Sequence, residues 1–360
     1  MSLGVDVRLD RPGDAREVAA AAARWEAAGY ATIWSRESAN DPFLSLAIAA
    51  SATRRIGLGT SIAVAFARNP MSVAYLGSDL ARYSDGRFTL GLGTQIKAHV
   101  ERRFGMPWSR PAARMEEFVR AVREIWRCWR TGDRLDFRGE FYTHTLMLPD
   151  STPDHAARPD PLIMLAAVGD RMLDVAARVG DGLLAHAFSS REHLRRHTVP
   201  AIERGLAAAG RDRADFVVSA PVLMATGATG RELSAATRAM RRQIAFYAST
   251  AAYRTVLETH GWDDLAAELN RLSRTPDPNR WDTMADLVDD KVLGTFAVVA
   301  EPDRVADLVV GRMGDLVNRV SLYTAVPTDD ELLADIARRI STTPIRPGSP
   351  ASTATNQETA

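Results

Sequence analysis

"RFTLGLGTQIKAHVERRFGMPWSRPAARMEEFVRAVREIWRCW", from Arg87 to Trp129, is the stretch that decides the fold. It opens as a short apolar run that ends in two alternating glycines, Gly91 and Gly93. A charged loop follows. Pro111 then begins a long amphipathic pattern with apolar residues three and four apart. A buried strand, a loop and a helix in that order make half of a βαβ unit.

The same succession recurs on both sides of this stretch. Upstream, "LGVDVRL" (Leu3 to Leu9), "YATIWS" (Tyr30 to Ser35) and "RIGLGTSIAVA" (Arg55 to Ala65) read as strands. Each is followed by a helix: "REVAAAAARWEAAG", "NDPFLSLAIAASAT" and "NPMSVAYLGSDLARYS". Asn40 or Asp41 caps the second of these helices and Pro42 lies in its first turn. Downstream, "PLIMLAAV", "GLLAHAF", "DFVVSAPVLMAT" and "RVSLYTA" are strands. Helices over "DRMLDVAARVG", "REHLRRHTVPAIERGLAAAG", Pro302 to Leu316 and "DDELLADIARRI" alternate with them. The strands are apolar on both faces, as a parallel sheet covered by helices requires.

Eight strands, each with its helix, predict an α/β fold of the (β/α)8 TIM-barrel type; a doubly wound open sheet is the rival. The rhythm is interrupted after strand 4 and after strand 7. Residues 131–160 are polar and proline-rich, with a hairpin expected at "LDFRGEFYTHTLML", and residues 230–292 read as a mostly helical insertion. Residues 1–341 are therefore expected to form one barrel domain. Residues 342–360, rich in Pro, Ser and Thr, read as a disordered tail.

Composition narrows the function. Of 360 residues, 45 are Lys or Arg and 45 are Asp or Glu, so the formal net charge is zero and no basic surplus points to nucleic acid. No apolar stretch reaches the roughly 18 residues that span a bilayer. The N-terminus lacks a basic region followed by an apolar run, so no signal peptide is expected. The single cysteine, Cys128, lies within a helical pattern and rules out a disulfide framework. A cytoplasmic protein is expected.

In a TIM barrel the active site lies at the C-terminal ends of the strands. Arg8, Ser35 to Ser38, Thr60 to Ile62, Gly93 to Gln95, Lys97, His99, Ala166 to Asp170, His186, Ser189, Ser190 and Tyr323 occupy those ends. They carry no metal signature. His193 and His197 are four apart, but Arg191, Arg195 and Arg196 around them would repel a cation, and no metal is expected. There is no nucleophile elbow and no phosphate-binding P-loop. Gly91 and Gly93 could let a flat ligand approach the backbone, or could simply relieve crowding at the barrel rim. "AAVGDRM" (Ala166 to Met172) is a small-residue turn that opens a helix and leaves backbone N–H groups for a phosphate. "TGATG" (Thr226 to Gly230) is a rival cradle.

Four segments in order, "AGYATIWSRESANDPFLSLAIAA", "RIGLGTSIAVAFARNPMSVA", "SDGRFTLGLGTQIKAHVERRFG" and "AAVGDRMLDVAARVGDGLLAHAFSS", resemble the bacterial-luciferase-like flavin superfamily. Within it they are most similar to oxidoreductases that use the deazaflavin F420. The resemblance extends from about Leu3 to Ile340. It implies a hydride transfer between F420 and a small organic substrate; the alternative is an FMN-dependent monooxygenase using reduced flavin and dioxygen, and a non-catalytic cofactor-binding barrel is more remote. It implies a cis peptide at Ser61–Ile62 backing the ring, with Gly93 and Thr94 beside the ring and Gln95 just beyond. It implies a phosphate on Ala167, Val168 and Gly169, flanked by His186 and Ser189. Relatives often carry a carboxylate–histidine pair after strand 2. Here Glu37 is followed by Ser38, which leaves Glu37, together with Gln95 and His99, as the catalytic candidates. A salt bridge to Arg8 or Arg36 is the bland reading of Glu37.

The substrate itself is not legible. Phe66, Trp108, Phe141, Tyr142, Tyr247 and Trp281 are candidate pocket walls, and Arg102 and Arg103 continue a basic rim. Arg102, Arg103 and Arg114 could meet an anionic substrate or the cofactor's acidic tail; for Arg114, flanked by Met115 and Glu116, a surface helix charge is the favoured reading. A homodimer through helices 2 and 3, a separate F420 or flavin reductase, and a small-molecule substrate are the expected partners, with no nucleic acid and no membrane.

Overall fold

A computed structural model describes residues 2–10, 12–153 and 159–345. Eight parallel strands form the frame: β1 (Gly4–Leu9), β2 (Thr32–Ser35), β3 (Gly57–Thr60), β4 (Phe88–Gly93), β5 (Leu162–Ala167), β6 (Gly182–Ala185), β7 (Val217–Ala225) and β8 (Arg319–Thr324). Their hydrogen-bonded order is β7-β8-β1-β2-β3-β4-β5-β6, and β6 pairs β7 again, so the order returns to its start. That is the ring of a (β/α)8 barrel, as the strand count predicts. Two short strands lie off the ring: Ala63–Val64 beside β4 and Ala297–Val299 beside β7. Ile33, Leu58, Leu90, Leu92, Leu165 and Leu183 are fully buried.

The helices start where the sequence offers caps. In α1 (Ala15–Ala27), Asp14 accepts from the backbone of Arg16 and Glu17, and Glu17 accepts in return from the Asp14 N–H. In α2 (Pro42–Ala52), Asp41 is the cap rather than Asn40, accepting from Phe43 N at 2.9 Å. In α3 (Pro70–Tyr83), Asn69 caps at Ser72 N. Helix α4 (Pro111–Thr131) ends on Gly132, whose φ of 73° is the left-handed conformation that glycine adopts freely.

The chain divides into two compact units. One is Asp6–Ala187 with His193–Pro221; it contains β2 to β6 and the first insertion, whose hairpin pairs Phe137–Arg138 with Thr143–His144. The charged loop after β4 is partly a short helix, Lys97–Arg102, which six residues were too few to signal by period. In this unit α5 (Asp170–Val179) packs on α6 (Val199–Ala208). Just before α6 lies a single π-turn, Leu194–Thr198, at Pro200, whose missing N–H removes one helical bond.

The other unit is residues 2–5, Phe188–Glu192 and the chain from Val222 onward. Here the second insertion supplies five helices: Gly230–Ala248, Arg254–Glu258, Asp263–Ser273, Arg280–Asp286 and Asp290–Phe296. Phe188 stacks on Phe296 at 4.2 Å between centroids, with Tyr247 and Tyr253 around it. Of the expected tail, residues 342–360, Thr342 closes the last helix and residues 346–360 lie outside the described residues. Among the described residues no helix is long and apolar enough to cross a membrane.

Candidate functional site

The C-terminal ends of β2 to β6 lie side by side within one unit. Ser35 registers with Thr60, Leu92 with Leu165, and Ala167 with Ala185. The residues that follow these strands are Glu37, Ser61–Ile62, Thr94–Gln95, Val168–Gly169 and His186. Adjacent parallel strands therefore bring them to one edge.

The peptide Ser61–Ile62 is cis. The segment that holds it departs from the strand, and its neighbours fix it. Ser61 N donates to Ser35 O at 2.8 Å, and Glu37 N donates to Ile62 O at 3.2 Å. Ile62 packs beside Trp34, Met164 and Leu184. Trp34 is itself tied down by its indole N–H, which donates to Asp6 Oδ2 at 2.8 Å.

The two glycines of β4 serve this segment: of their two readings, relief of crowding fits and open room for a flat ring is corrected. A Cβ on Gly91 would lie 1.8 Å from the carbonyl oxygen of Thr60 and 2.8 Å from Leu184 Cδ1. A Cβ on Gly93 would meet the Ile62 side chain at 2.8 Å. Thr60 completes the fit: its hydroxyl donates to Gly91 O at 2.7 Å and accepts from Gly91 N at 2.9 Å. The space left by the missing side chains is filled by the strand 3 backbone and by Ile62.

Glu37 is also corrected. It pairs with neither Arg8 nor Arg36; those face Asp10, at 3.0 and 3.6 Å. Its Oε2 accepts from Val64 N at 2.7 Å and from Arg68 Nη1 at 2.6 Å, and its side chain is 7% exposed. Arg68 bridges on to Asp41 at 2.7 Å. Burial alone would lower the Arg68 pKa, but the bonds to Glu37 and Asp41 outweigh it and raise it. Glu37 thus ties β2 to the segment after Ser61–Ile62.

Thr94 is half-buried and donates to Gln95 O at 2.9 Å. Gln95 has a φ of 59°, uncommon outside glycine, and its Oε1 accepts from Ile96 N at 3.1 Å. The side-chain amide N–H groups of Gln95 make no bond to a described residue. His99 is exposed on the short helix, and Lys97 pairs with Glu101. Arg103 donates to Ser38 O and stacks over Phe104.

Ala167, Val168 and Gly169 lead into α5. Gly169 is the helix N-cap and no side chain caps it. A Cβ there would meet nothing within 4 Å. Small side chains and a free helix N-terminus suit an anion, although Asp170 in the first turn is itself acidic. His186 is held well below the usual imidazole range, at about 4, by burial and then by the charge of Arg8. It is neutral at neutral pH. Ser189 is half-buried and belongs to the other unit. In that unit Tyr247 and Tyr323 bring their hydroxyls to 3.3 Å.

Arg114 and Arg68 are the side chains that the sequence reading placed wrongly or missed. Arg114 is 6% exposed and is no surface charge. The pattern held the signal: Arg114, Phe118, Ala121, Ile125 and Cys128 share the buried stripe of α4. Among the described residues no group of His, Cys, Asp or Glu could hold a metal ion.

Comparison with known proteins agrees with this architecture. Residues 2–318 match the family model described as luciferase-like monooxygenase. An uncharacterized protein of Mycobacterium tuberculosis is 51% identical over 309 residues, covering 86% of this chain and 90% of that one. A putative coenzyme F420-dependent oxidoreductase of the same organism is 29% identical over 311 residues, covering 82% and 86%. The structure of a coenzyme F420 dependent tetrahydromethanopterin reductase from Methanopyrus kandleri superposes with a TM-score of 0.78 over 94% of this chain and 98% of that one, at 21% identity. That last likeness establishes the barrel alone.

Proposed function

Since the chain belongs to the luciferase-like monooxygenase family and is an oxidoreductase, we propose that it uses the deazaflavin F420 to move a hydride to or from a small organic substrate. The observation that carries this reading is the uncapped, small-residue turn Ala167–Gly169, set one strand away from the Ser61–Ile62 segment. The relative named as F420-dependent, aligned over most of both chains, supports the choice of coenzyme. The residues fit such a group: a helix N-terminus is free for its phosphate, and a Cβ at Gly169 would meet open space. A deazaflavin supplies a carbon centre that gives or takes a hydride and does not readily activate dioxygen.

The chain's own residues bind and orient. Backbone N–H groups of Ala167, Val168 and Gly169, at the start of α5, would hold the phosphate. Ser61 and Ile62 back the ring, and the Glu37–Arg68 pair keeps that backing in place. Gln95 spends its carbonyl on Ile96 N, which leaves its amide N–H groups to donate to a ring-edge oxygen. Thr94 sits beside it. Neutral His186 flanks the coenzyme tail. His99, exposed near the strand 4 end, is the group positioned to exchange a proton with substrate. Glu37 acts by position, because its Oε2 already accepts two N–H bonds. A separate F420 or flavin reductase renews the coenzyme, and two copies pair through α2 and α3, where Leu44 of α2 is 69% exposed.

The second reading is an FMN-dependent monooxygenase, favoured by the description of the family model itself.

Gly169→Asp tests the cradle. An Asp at this N-cap accepts from the Arg171 or Met172 N–H and sets a carboxylate against the phosphate, so stability holds or rises by a few tenths of a kcal/mol while the anion is repelled. Coenzyme affinity falls at least tenfold, since charge-assisted bonds worth about 1.5–3 kcal/mol each are lost. Fluorescence titration and a melting curve read the two effects. Unchanged affinity with unchanged stability moves the phosphate elsewhere, first to Thr226–Gly230.

A further inference from the structure

Arg114 lies in the second turn of α4, and only 6% of it is exposed. Its Nε donates to Tyr142 Oη at 2.8 Å and its Nη1 to Pro107 O at 2.6 Å. The guanidinium carbon sits 4.5 Å from the centroid of Phe66 and 5.6 Å from that of Tyr142. Trp108 meets Phe66 edge-on at 5.8 Å. All of these residues belong to one unit.

None of these partners carries a negative charge. One is a carbonyl. The other is a phenol whose pKa burial raises, against the pull of Arg114 itself. No carboxylate of the described residues pairs with Arg114, and its Nη2 makes no hydrogen bond to them. Nη2 is also absent from the polar atoms that are sealed in without a partner, so it faces accessible space. Arg68 shows the ordinary arrangement for comparison, with two carboxylates on its guanidinium. The nearest carboxylate, Glu117, is engaged by the Phe141 and Tyr142 N–H groups and does not touch the guanidinium, so a buried cation with no carboxylate in direct contact gains from an arriving anion. The start of α4 adds to the attraction. Pro111 opens it, no side chain caps it, and helical side chains lean back toward that positive end.

We propose that Arg114 anchors a subsite for a substrate carboxylate: Nη2 receives the carboxylate and the exposed part of Trp108 takes an apolar body attached to it. Phe66 lies two residues beyond Val64, in the turn that continues the Ser61–Ile62 segment, so the chain links the subsite to the proposed coenzyme site. The inference names a substrate class for the reading above and rests on it only for the word substrate; the binding measurement needs no coenzyme.

Calorimetric titration of the full chain with benzoate and hexanoate, and with benzamide and hexanamide as neutral counterparts, tests it. The carboxylates bind at least tenfold tighter than the amides. Arg114→Met abolishes that preference and Arg114→Lys keeps part of it. Because Arg114 also clamps the Pro107 loop and the hairpin, Tyr142→Phe serves as the structural control: it removes the Nε bond, lowers the melting temperature and keeps the preference for carboxylates. The proposal is overturned if wild type binds amides as well as acids, or if Tyr142→Phe loses the preference as Arg114→Met does. It is equally overturned if Arg114→Met leaves benzoate binding intact and weakens F420 instead, which would assign the charge to the coenzyme's acidic tail.

Discussion

Gly91→Ala lowers the unfolding free energy by about 3–5 kcal/mol, measured by urea or thermal denaturation. The reason is local and severe. The new methyl would sit 1.8 Å from the carbonyl oxygen of Thr60, and 2.9 Å from its carbon, so backbone must move rather than a side chain. Overpacking of this kind costs typically about 1–3 kcal/mol. The displacement also breaks the reciprocal pair between Thr60 and Gly91, two hydrogen bonds of about 1 kcal/mol each in a buried place. The melting temperature falls by roughly 5–10 °C. Gly93→Ala is the milder neighbour. Its methyl meets Cγ1 and Cδ1 of Ile62, a side chain that can shift where backbone cannot, so it disturbs the proposed backing of the ring more than the fold. A Gly91→Ala protein within about 0.5 kcal/mol of wild type would mean that β3 and β4 do not approach as closely as described.

Glu37→Gln costs about 2–3 kcal/mol of stability and weakens coenzyme binding. Breaking a buried ion pair by removing one partner costs about 3–5 kcal/mol. Arg68 keeps Asp41 here, so the cost falls at or just below the low end of that range. The glutamine oxygen can still accept from Val64 N, but the charge that holds Arg68 is gone. The segment Ala63–Arg68 loosens, and with it the seat of Ser61–Ile62. Two readouts separate this positioning role from proton transfer. In the first case stability and coenzyme affinity fall together, and a double-mutant cycle with Arg68→Met shows coupling of at least about 1 kcal/mol. In the second case turnover falls, its pH profile loses a limb, and stability is unchanged.

Much of the fold was legible because its signals are local and repeated. Alternation of short apolar runs with amphipathic helices, punctuated by Asn-Pro and Asp-Pro starts, yields eight strands and their order. Relief of crowding was one of the two readings of the β4 glycines; which atoms crowd them was not legible. The atoms that occupy the missing side chains come from Thr60 and Ile62, and the Thr60–Gly91 bond joins residues 31 apart. Glu37 was misread for the same reason. Arg8 and Arg36 are obvious partners by proximity along the β1 and β2 ends, whereas Arg68 reaches it across 31 residues. Arg114 is a different case. Its burial was written in the spacing of the α4 stripe, and reading a lone arginine as solvent-facing overrode the period. The cis peptide at Ser61–Ile62 came only from the family resemblance, since no local pattern marks a non-proline cis bond.

The central claim is the coenzyme. Titration of the coenzyme-free protein with F420 and with FMN, followed by fluorescence, tests it most directly. The account predicts micromolar or tighter binding of F420 and at least tenfold weaker binding of FMN. FMN bound at micromolar concentration or below, with F420 left unbound, would contradict it.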